Sequence, residues 1–212
     1  MSPFINIIYR VLSAIIGKEF RTSWFNFNGK EYEYLLHPYN ATWDCERCVE
    51  VPIIMGLIKR MAPSTVLEIG NVIQHYCATS HQVIDLHEKG RGVQNVDVLD
   101  FRSGKQYELI VSISTLEHIG KDDETCPSKC LEAIEHIKSL LTLSGQFIAT
   151  IPIGYNEFLD KRLNKVFDSV KYMKRYDSLL WTECKEDEAM QCKYNRPYRG
   201  ATAVAICTMA KK

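Results

Sequence analysis

The chain of 212 residues has no excess charge of either sign, no long apolar run and no internal repeat. Lys and Arg total 26, as do Asp and Glu, so the formal net charge is zero. Nucleic-acid binding usually needs a basic excess, which argues against a nucleic-acid partner. The lack of 18 consecutive apolar residues argues against a membrane-spanning helix. The contents of charged residues (25%) and apolar residues (46%) are those of a globular domain.

Several catalytic and metal-binding signatures are also missing. No glycine motif for nucleoside triphosphates, no Gly-x-Ser-x-Gly and no His-Glu-x-x-His occurs, so hydrolase chemistry has no support. The eight cysteines are scattered and no cleavable signal peptide is recognisable, so we expect reduced thiols in a cytoplasmic protein. Cys45-x-x-Cys48 and Cys126-x-x-x-Cys130 lie too far apart in sequence to favour zinc, and we expect no metal site.

Residues 4–16 are nearly all apolar. The polar positions near this stretch fall at helical spacing and form one narrow stripe: Asn6, Arg10, Ser13 and Gly17. The pattern predicts a helix with a wide apolar face. That face packs on the protein's own body or on a second subunit, or it lies on a membrane surface, and both interpretations stay open. We expect residues 1–44 to form an N-terminal helical and aromatic appendage, and residues 45–212 to form the main domain.

The order of elements after residue 44 predicts an α/β fold. Short, almost wholly apolar strands alternate with helical stretches, which is typical of a mostly parallel, doubly wound sheet covered on both faces. The predicted helices span residues 49–61, 128–143 and 156–167. The predicted strands are 65–70, 82–85, 93–98, 107–114 and 146–153. Three further candidates, 170–175, 179–184 and 201–209, close the sheet with an antiparallel pair.

Acidic residues stand at the ends of the first three predicted strands of this sheet. In such sheets, ligands bind beyond the carboxyl ends of the strands. Glu68 precedes Gly70 at the first end, and glycine there permits a tight turn close to a ligand. Asp85 at the second end suits the hydroxyls of a ribose. Asp97 and Val98 at the third suit the amine and the ring face of an adenine. Together these residues predict a nucleoside site without a phosphate cradle.

The motif order resembles class I S-adenosylmethionine-dependent methyltransferases over residues 45–209. The resemblance rests on Val66-Leu67-Glu68-Ile69-Gly70, Asp85, Asp97, Ile113-Ser114-Thr115-Leu116-Glu117-His118-Ile119 and Leu143-Ser144-Gly145-Gln146-Phe147-Ile148. It implies a Rossmann-like fold and S-adenosylmethionine as cofactor. The cofactor-binding residues that it implies are Glu68, Gly70, Asn71, Asp85, Asp97, Val98 and Ser114.

The loop after the first strand departs from the usual Gly-x-Gly-x-Gly pattern of that family, because Val72 and Gln74 replace two glycines. The sequence Gly70-Asn71-Val72…His75-Tyr76 is similar to that of an uncharacterised subgroup whose members are associated with surface-polysaccharide pathways. The departure keeps a second interpretation open, namely a cofactor-free scaffold or interaction protein with the same fold. A nicotinamide-dependent oxidoreductase would need Gly-x-Gly-x-x-Gly, which is absent.

The implied reaction moves a methyl group to an acceptor that the sequence does not identify. His118, just after the fourth strand, is the candidate general base. His75, Tyr76, Tyr155 and Asn156 are the candidate acceptor-binding residues, since aromatic rings stack on sugars or on flat rings. We therefore expect a small-molecule or saccharide acceptor, lipid-linked if the N-terminal helix meets a membrane.

The first prediction concerns that helix. Because the pattern of the α/β body starts near Val49, deletion of residues 1–17 should leave the body folded. If a second subunit covers the helix, the deletion converts a dimer into a monomer, measured by light scattering. If a bilayer covers it, liposome co-sedimentation is lost without a change in mass. Loss of the cooperative unfolding transition in the truncated chain would contradict both versions.

Overall fold

The computed structural model describes residues 24–122, 126–177 and 180–211. The predicted N-terminal helix lies outside these residues. In the described ranges the strands are β1 (Trp24–Phe27), β2 (Lys30–Glu33), β3 (Val66–Ile69), β4 (Gln82–Asp85), β5 (Val93–Asn95), β6 (Tyr107–Ile113), β7 (Leu141–Pro152), β8 (Ser169–Arg175), β9 (Trp181–Cys184) and β10 (Ala203–Ala210). The α-helices are α1 (Arg47–Ile58), α2 (Lys129–Ser139), α3 (Glu157–Asp160), α4 (Leu163–Val166) and α5 (Glu186–Met190).

Strands β3 to β10 form one sheet in the order β5-β4-β3-β6-β7-β10-β8-β9, while β1 and β2 form a separate hairpin. The five strands from β5 to β7 are parallel, and β10 runs antiparallel to both β7 and β8. The chain winds outward from β3 in two directions, first to β4 and later to β6. The predicted mostly parallel, doubly wound fold is confirmed, and the switch point lies between β3 and β6.

Alternate residues of the central strands supply the two cores of the protein. On one face, Leu67 of β3 and Ile110 of β6 pack with α2. The buried residues of α2 recur with helical period and form one stripe: Cys130, Ala133, Ile134 and Ile137. Central parallel strands are buried on both faces, which explains why their sequences are continuous apolar runs.

The opposite face is covered by α1 and the β1–β2 hairpin. Phe25 and Phe27 of the hairpin are buried together with Val111 of β6 and Trp181 of β9. The Tyr34 hydroxyl accepts a hydrogen bond of 3.0 Å from the Trp181 amide. The hairpin therefore contributes to the same core as the sheet. The domain boundary near residue 45 stays a prediction.

The β3–β4 connection contains a short 3-10 turn (Ile73–His75) among the described elements. Two strands differ from the sequence-based prediction in their bounds. Strand β5 ends at Asn95, so Asp97 lies beyond the strand end. Strand β7 begins at Leu141, so the turn predicted at Ser144-Gly145 lies within the strand. No helix in the described part of the chain is long and apolar enough to cross a bilayer.

Candidate functional site

A cavity of about 370 Å³ lies at the carboxyl ends of β3, β4, β5 and β6, beside the switch point. Of the residues predicted to hold a cofactor or to catalyse, seven line it: Gly70, Asn71, Asp85, Asp97, Val98, Ser114 and His118. The topology brings these positions together because parallel strands end at the same edge of the sheet. Other lining residues escaped the sequence analysis: Arg47, Leu86, His87, Glu88, Thr115 and Lys129.

The loop after β3 is pressed against the end of β6. Gly70 has a φ of +87°, and a Cβ added there would lie 2.2 Å from the Thr115 hydroxyl oxygen. The left-handed conformation and the close approach both require glycine at this position. Gly70 is therefore the one position of the expected glycine pattern that this loop cannot lose.

The loop is held from beneath by Glu68, which is fully buried. Its Oε1 accepts hydrogen bonds from the amides of Val72 (3.0 Å) and Ile73 (2.8 Å), and its Oε2 lies 2.7 Å from His81 Nε2. Glu68 is thus outside the set of residues that line the cavity. The geometry favours the role of a loop cap over the predicted direct contact with a cofactor, because both carboxylate oxygens are already engaged inside the protein.

Asp85 connects the loops that follow β3 and β4. Its Oδ2 accepts a hydrogen bond from the Asn71 amide (2.8 Å). Its Oδ1 accepts hydrogen bonds from the amides of His87 (2.8 Å) and Glu88 (2.6 Å). A carboxylate offers about four lone-pair positions, so Asp85 retains acceptor capacity toward the cavity. Glu88, whose side chain is 46% exposed, adds a second carboxylate to the same wall.

Asp97 and its neighbours form the far wall. Asp97 Oδ1 accepts from the Leu99 amide at 2.9 Å, and Oδ2 lies 3.3 Å from Lys129 Nζ. Leu86 is 47% exposed, and Val98 is nearly buried on the same cavity. The wall therefore combines carboxylates with apolar surface, an arrangement that suits a flat heterocycle carrying hydrogen-bond donors.

A buried ion pair supports the end of β6. Arg47 lies 2.6 Å from Glu50 Oε2, and Ser114 donates from its hydroxyl to Glu50 Oε1 at 2.6 Å. Ser114 has a φ of +40°, an uncommon conformation that this hydrogen bond helps to hold. Burial, together with the nearby charge of Glu50, raises the pKa of Glu46 and of Glu117. Arg47 and Glu50 had no sequence signal, because both lie in α1, which does not follow a strand end.

His118 stands at the rim and forms a dyad with Asp122. Its side chain is 46% exposed, and Nδ1 lies 2.5 Å from Asp122 Oδ2. The Tyr155 hydroxyl donates to both Asp122 oxygens, at 2.9 and 2.8 Å. Partial burial raises the pKa of Asp122, but the hydrogen bonds from His118 and Tyr155 outweigh it and leave the pKa below its usual range. Asp122 is thus ionised and orients the imidazole.

The remaining predicted acceptor residues lie outside the cavity wall. His75 stacks on Tyr39 with ring centroids 4.0 Å apart, and its Nε2 is 2.6 Å from Glu88 Oε2. Tyr76 packs edge-on against Tyr39 at 5.8 Å. Asn156 accepts from the Leu159 amide and donates to the Glu117 carbonyl, so it is a buried cap of α3. The buried, hydrogen-bonded amide of Asn156 leaves it no room to contact an acceptor.

No protein-family model and no curated protein sequence matches this chain. Among solved structures it is similar to the N-methyltransferase NodS from Bradyrhizobium japonicum WM9, with 14% identity, coverage of 77% of this chain and 94% of that chain, and a TM-score of 0.48. The complex of NodS with S-adenosyl-L-homocysteine gives 13% identity, coverages of 77% and 85%, and a TM-score of 0.48. An S-adenosylmethionine-dependent methyltransferase from Clostridium acetobutylicum ATCC 824 gives 13% identity, coverages of 76% and 89%, and a TM-score of 0.41. Similarities this low do not assign an activity to this chain.

The second prediction concerns Gly70. Gly70→Ala should destabilise the protein by more than Gly92→Ala, because both residues have positive φ but only Gly70 has a neighbour within 4 Å of the added Cβ. The strained φ costs about 1–3 kcal/mol at either site, and the contact with Thr115 adds to it at Gly70 alone. Urea titration of both variants measures the difference. Equal losses of unfolding free energy would show that the loop does not press on Thr115.

Proposed function

We propose that this protein is an S-adenosylmethionine-dependent methyltransferase acting on a small-molecule or saccharide acceptor. The observation that carries the proposal is the charge of the cavity. Three carboxylates line it (Asp85, Glu88 and Asp97) against two permanent cations, Arg47 and Lys129. Three minus two leaves one excess negative charge among the lining residues, and the pairing of Arg47 with the buried carboxylate of Glu50 adds to that excess. S-adenosylmethionine carries a sulfonium, an ammonium and a carboxylate, so its one net positive charge complements the site.

The backbone amides of the loop after β3 support the same choice. In a phosphate-binding loop these amides point at the ligand. Here the amide of Asn71 bonds to Asp85, and those of Val72 and Ile73 bond to Glu68. Carboxylates occupy the positions that a phosphate would need. The site therefore suits a nucleoside without phosphates, which argues against a nicotinamide dinucleotide.

The lining residues fit the parts of that cofactor. Asp85 would accept the ribose hydroxyls, Leu86 and Val98 would cover the adenine faces, and Asp97 would accept its amine. Arg47, at the other end near Ser114, would hold the methionine carboxylate. When bound, the cofactor supplies an electrophilic methyl group on a sulfonium whose leaving group is a neutral thioether.

The His118–Asp122 dyad would remove the proton from an acceptor hydroxyl. Asp122 keeps a proton on Nδ1, which leaves Nε2, 3.6 Å from Glu117 Oε1, as the basic nitrogen that would face the acceptor. After the transfer of the proton to Nε2, the imidazolium is stabilised by the Asp122 carboxylate. Asp122 is therefore a positioning residue, and His118 is the base that contacts the acceptor.

The proposal also extends to the location and the partners of the protein. We propose a cytoplasmic location, with contact to a second subunit or to a membrane surface through the N-terminal segment. Association with polysaccharide synthesis depends on the saccharide acceptor. The alternative, a cofactor-free scaffold, gains support only if the cavity binds no adenosyl ligand.

The third prediction tests the cofactor. S-adenosylhomocysteine at 100 times its Kd should stabilise the fold by about 2.7 kcal/mol, which is roughly 5–10 °C in Tm for a chain of this size. Asp85→Asn should weaken binding by about 10- to 100-fold, because a charge-assisted hydrogen bond contributes about 1.5–3 kcal/mol. Differential scanning calorimetry measures the Tm shift, and isothermal titration calorimetry measures the change in Kd.

Asp100→Asn is the matched control, since Asp100 is an exposed acid near the cavity that does not line it. It should bind like the wild type. Absence of heat and of any Tm shift at millimolar S-adenosylhomocysteine would favour the scaffold alternative.

The fourth prediction concerns the dyad. In wild-type protein the neutral His118 ring should carry its proton on Nδ1, and Asp122→Asn should move a large fraction of it to Nε2. Two-bond ¹H–¹⁵N correlation spectra of histidine-labelled protein distinguish the tautomers. Tyr155→Phe, which keeps the ring beside His118, should leave the tautomer unchanged. An Nε2–H tautomer in the wild type would eliminate His118 as the base.

A further inference from the structure

A second cavity, of about 720 Å³, lies beyond the carboxyl end of β7. The segment that follows β7 forms one side of it, and the stretch from α5 to Arg196 forms the other. Its volume is in the range of small-molecule sites. It shares no lining residue with the first cavity.

A buried carboxylate lies in the wall of this cavity. Asp160 is only 6% exposed, and its Oδ2 accepts a hydrogen bond of 2.9 Å from the Gly154 amide. Its Oδ1 is buried and has no hydrogen-bond partner among the described residues. Burial raises the pKa of Asp160. The hydrogen bond from the Gly154 amide offsets part of this effect, and the resulting pKa is about 6. A buried acceptor without a donor is unfavourable, so the site calls for a ligand that supplies one.

The charges around the cavity balance. Glu157, Glu186 and Asp160 supply three carboxylates, and Lys161, Lys193 and Arg196 supply three cations. The balance favours a neutral ligand over an anion or a cation.

Part of the remaining wall is apolar or aromatic, beside the polar side chain of Gln191. Ile153 and Met190 contribute apolar side chains, and Tyr194 contributes a half-buried ring. Hydroxyl donors on one edge and an apolar C–H face on the other are the properties of a pyranose. A saccharide unit therefore matches both the carboxylate and the apolar part of the wall.

Tyr155 connects the two cavities. Its ring centroid is 4.7 Å from that of His118, at the rim of the first cavity, and 5.0 Å from that of Tyr194, in the second. The preceding residue, Gly154, donates its amide hydrogen bond to Asp160. An acceptor that enters over Tyr155 would reach His118 at one end and the second cavity at the other.

We propose that the second cavity binds a neutral saccharide unit of the acceptor, with a sugar hydroxyl donating to Asp160 Oδ1. The location next to His118 rests on the proposed methyltransferase function, whereas the binding of a sugar does not.

The fifth prediction uses four probes on the full chain: the methyl glycosides of glucose, galactose, mannose and N-acetylglucosamine, each up to 50 mM. At least one should shift the amide resonances of Gly154, Met190 and Tyr194 in ¹⁵N correlation spectra. Asp160→Asn, which keeps an acceptor oxygen for the Gly154 amide, should weaken that binding at least 10-fold. Asp100→Asn should not change it.

Acidity provides an independent readout. Because the ionised carboxylate is the better acceptor, affinity for the bound glycoside should fall at least threefold from pH 7.5 to pH 5 in the wild type and stay constant in Asp160→Asn. The proposal is overturned if no glycoside shifts these resonances, or if Asp160→Asn binds as well as the wild type.

The two proposals fail separately. S-adenosylhomocysteine should shift Gly70 and Asn71, in the first cavity. Sugar shifts without S-adenosylhomocysteine binding would leave the saccharide site standing and remove the methyltransferase. The reverse result would remove only the saccharide site.

Discussion

The buried carboxylate of Glu68 fixes the geometry on which the first cavity depends. It accepts hydrogen bonds from two backbone amides of the loop after β3 and also contacts His81, just before β4. One side chain thus connects the central strand, its loop and the neighbouring strand. With the loop held from below, Gly70 is kept against Thr115 and the Asn71 amide reaches Asp85. Loss of this carboxylate would leave buried amides unpaired, which costs more than the bonds themselves contribute.

A second set of buried charges joins the start of α1 to the end of β6. Arg47 interacts electrostatically with three glutamates, Glu46, Glu50 and Glu117, and Glu50 holds it directly. The raised pKa values of Glu46 and Glu117 mean that the cluster retains protons at pH values where exposed glutamates have lost them. A buried group of this kind adds little net stability. Its effect is to place a guanidinium, a carboxylate and the strained Ser114 at one end of the cavity.

The sequence was sufficient to predict most of the strands and the edge of the sheet at which the site lies. Apolar runs that end in Gly70 and Asp85 determine these features, since parallel strands place their carboxyl ends at one edge. The sequence did not predict the role of each side chain at that edge. Glu68 and Asp85 end neighbouring strands in similar patterns, yet one lies beneath the loop and the other faces the cavity.

The other discrepancies have equally local causes. Asn156 lies in the loop after β7, as predicted, but its side chain caps α3 and its amide oxygen is already hydrogen-bonded there. Arg47, Glu88 and Asp122 lie in positions with no motif, and only the fold brings them to the cavity or its rim.

The two cavities differ in charge, and the two proposed ligands differ in the same way. The first carries one excess carboxylate and suits a cation, whereas the second is balanced and suits a neutral molecule. Tyr155 lies between them, with its hydroxyl on Asp122, and Lys121 Nζ lies 3.7 Å from its ring centroid. Any movement of Tyr155 would therefore disturb both the orientation of His118 and the wall toward Tyr194. An acceptor of the proposed kind, bound in the second cavity, would therefore lie beside the proposed base His118.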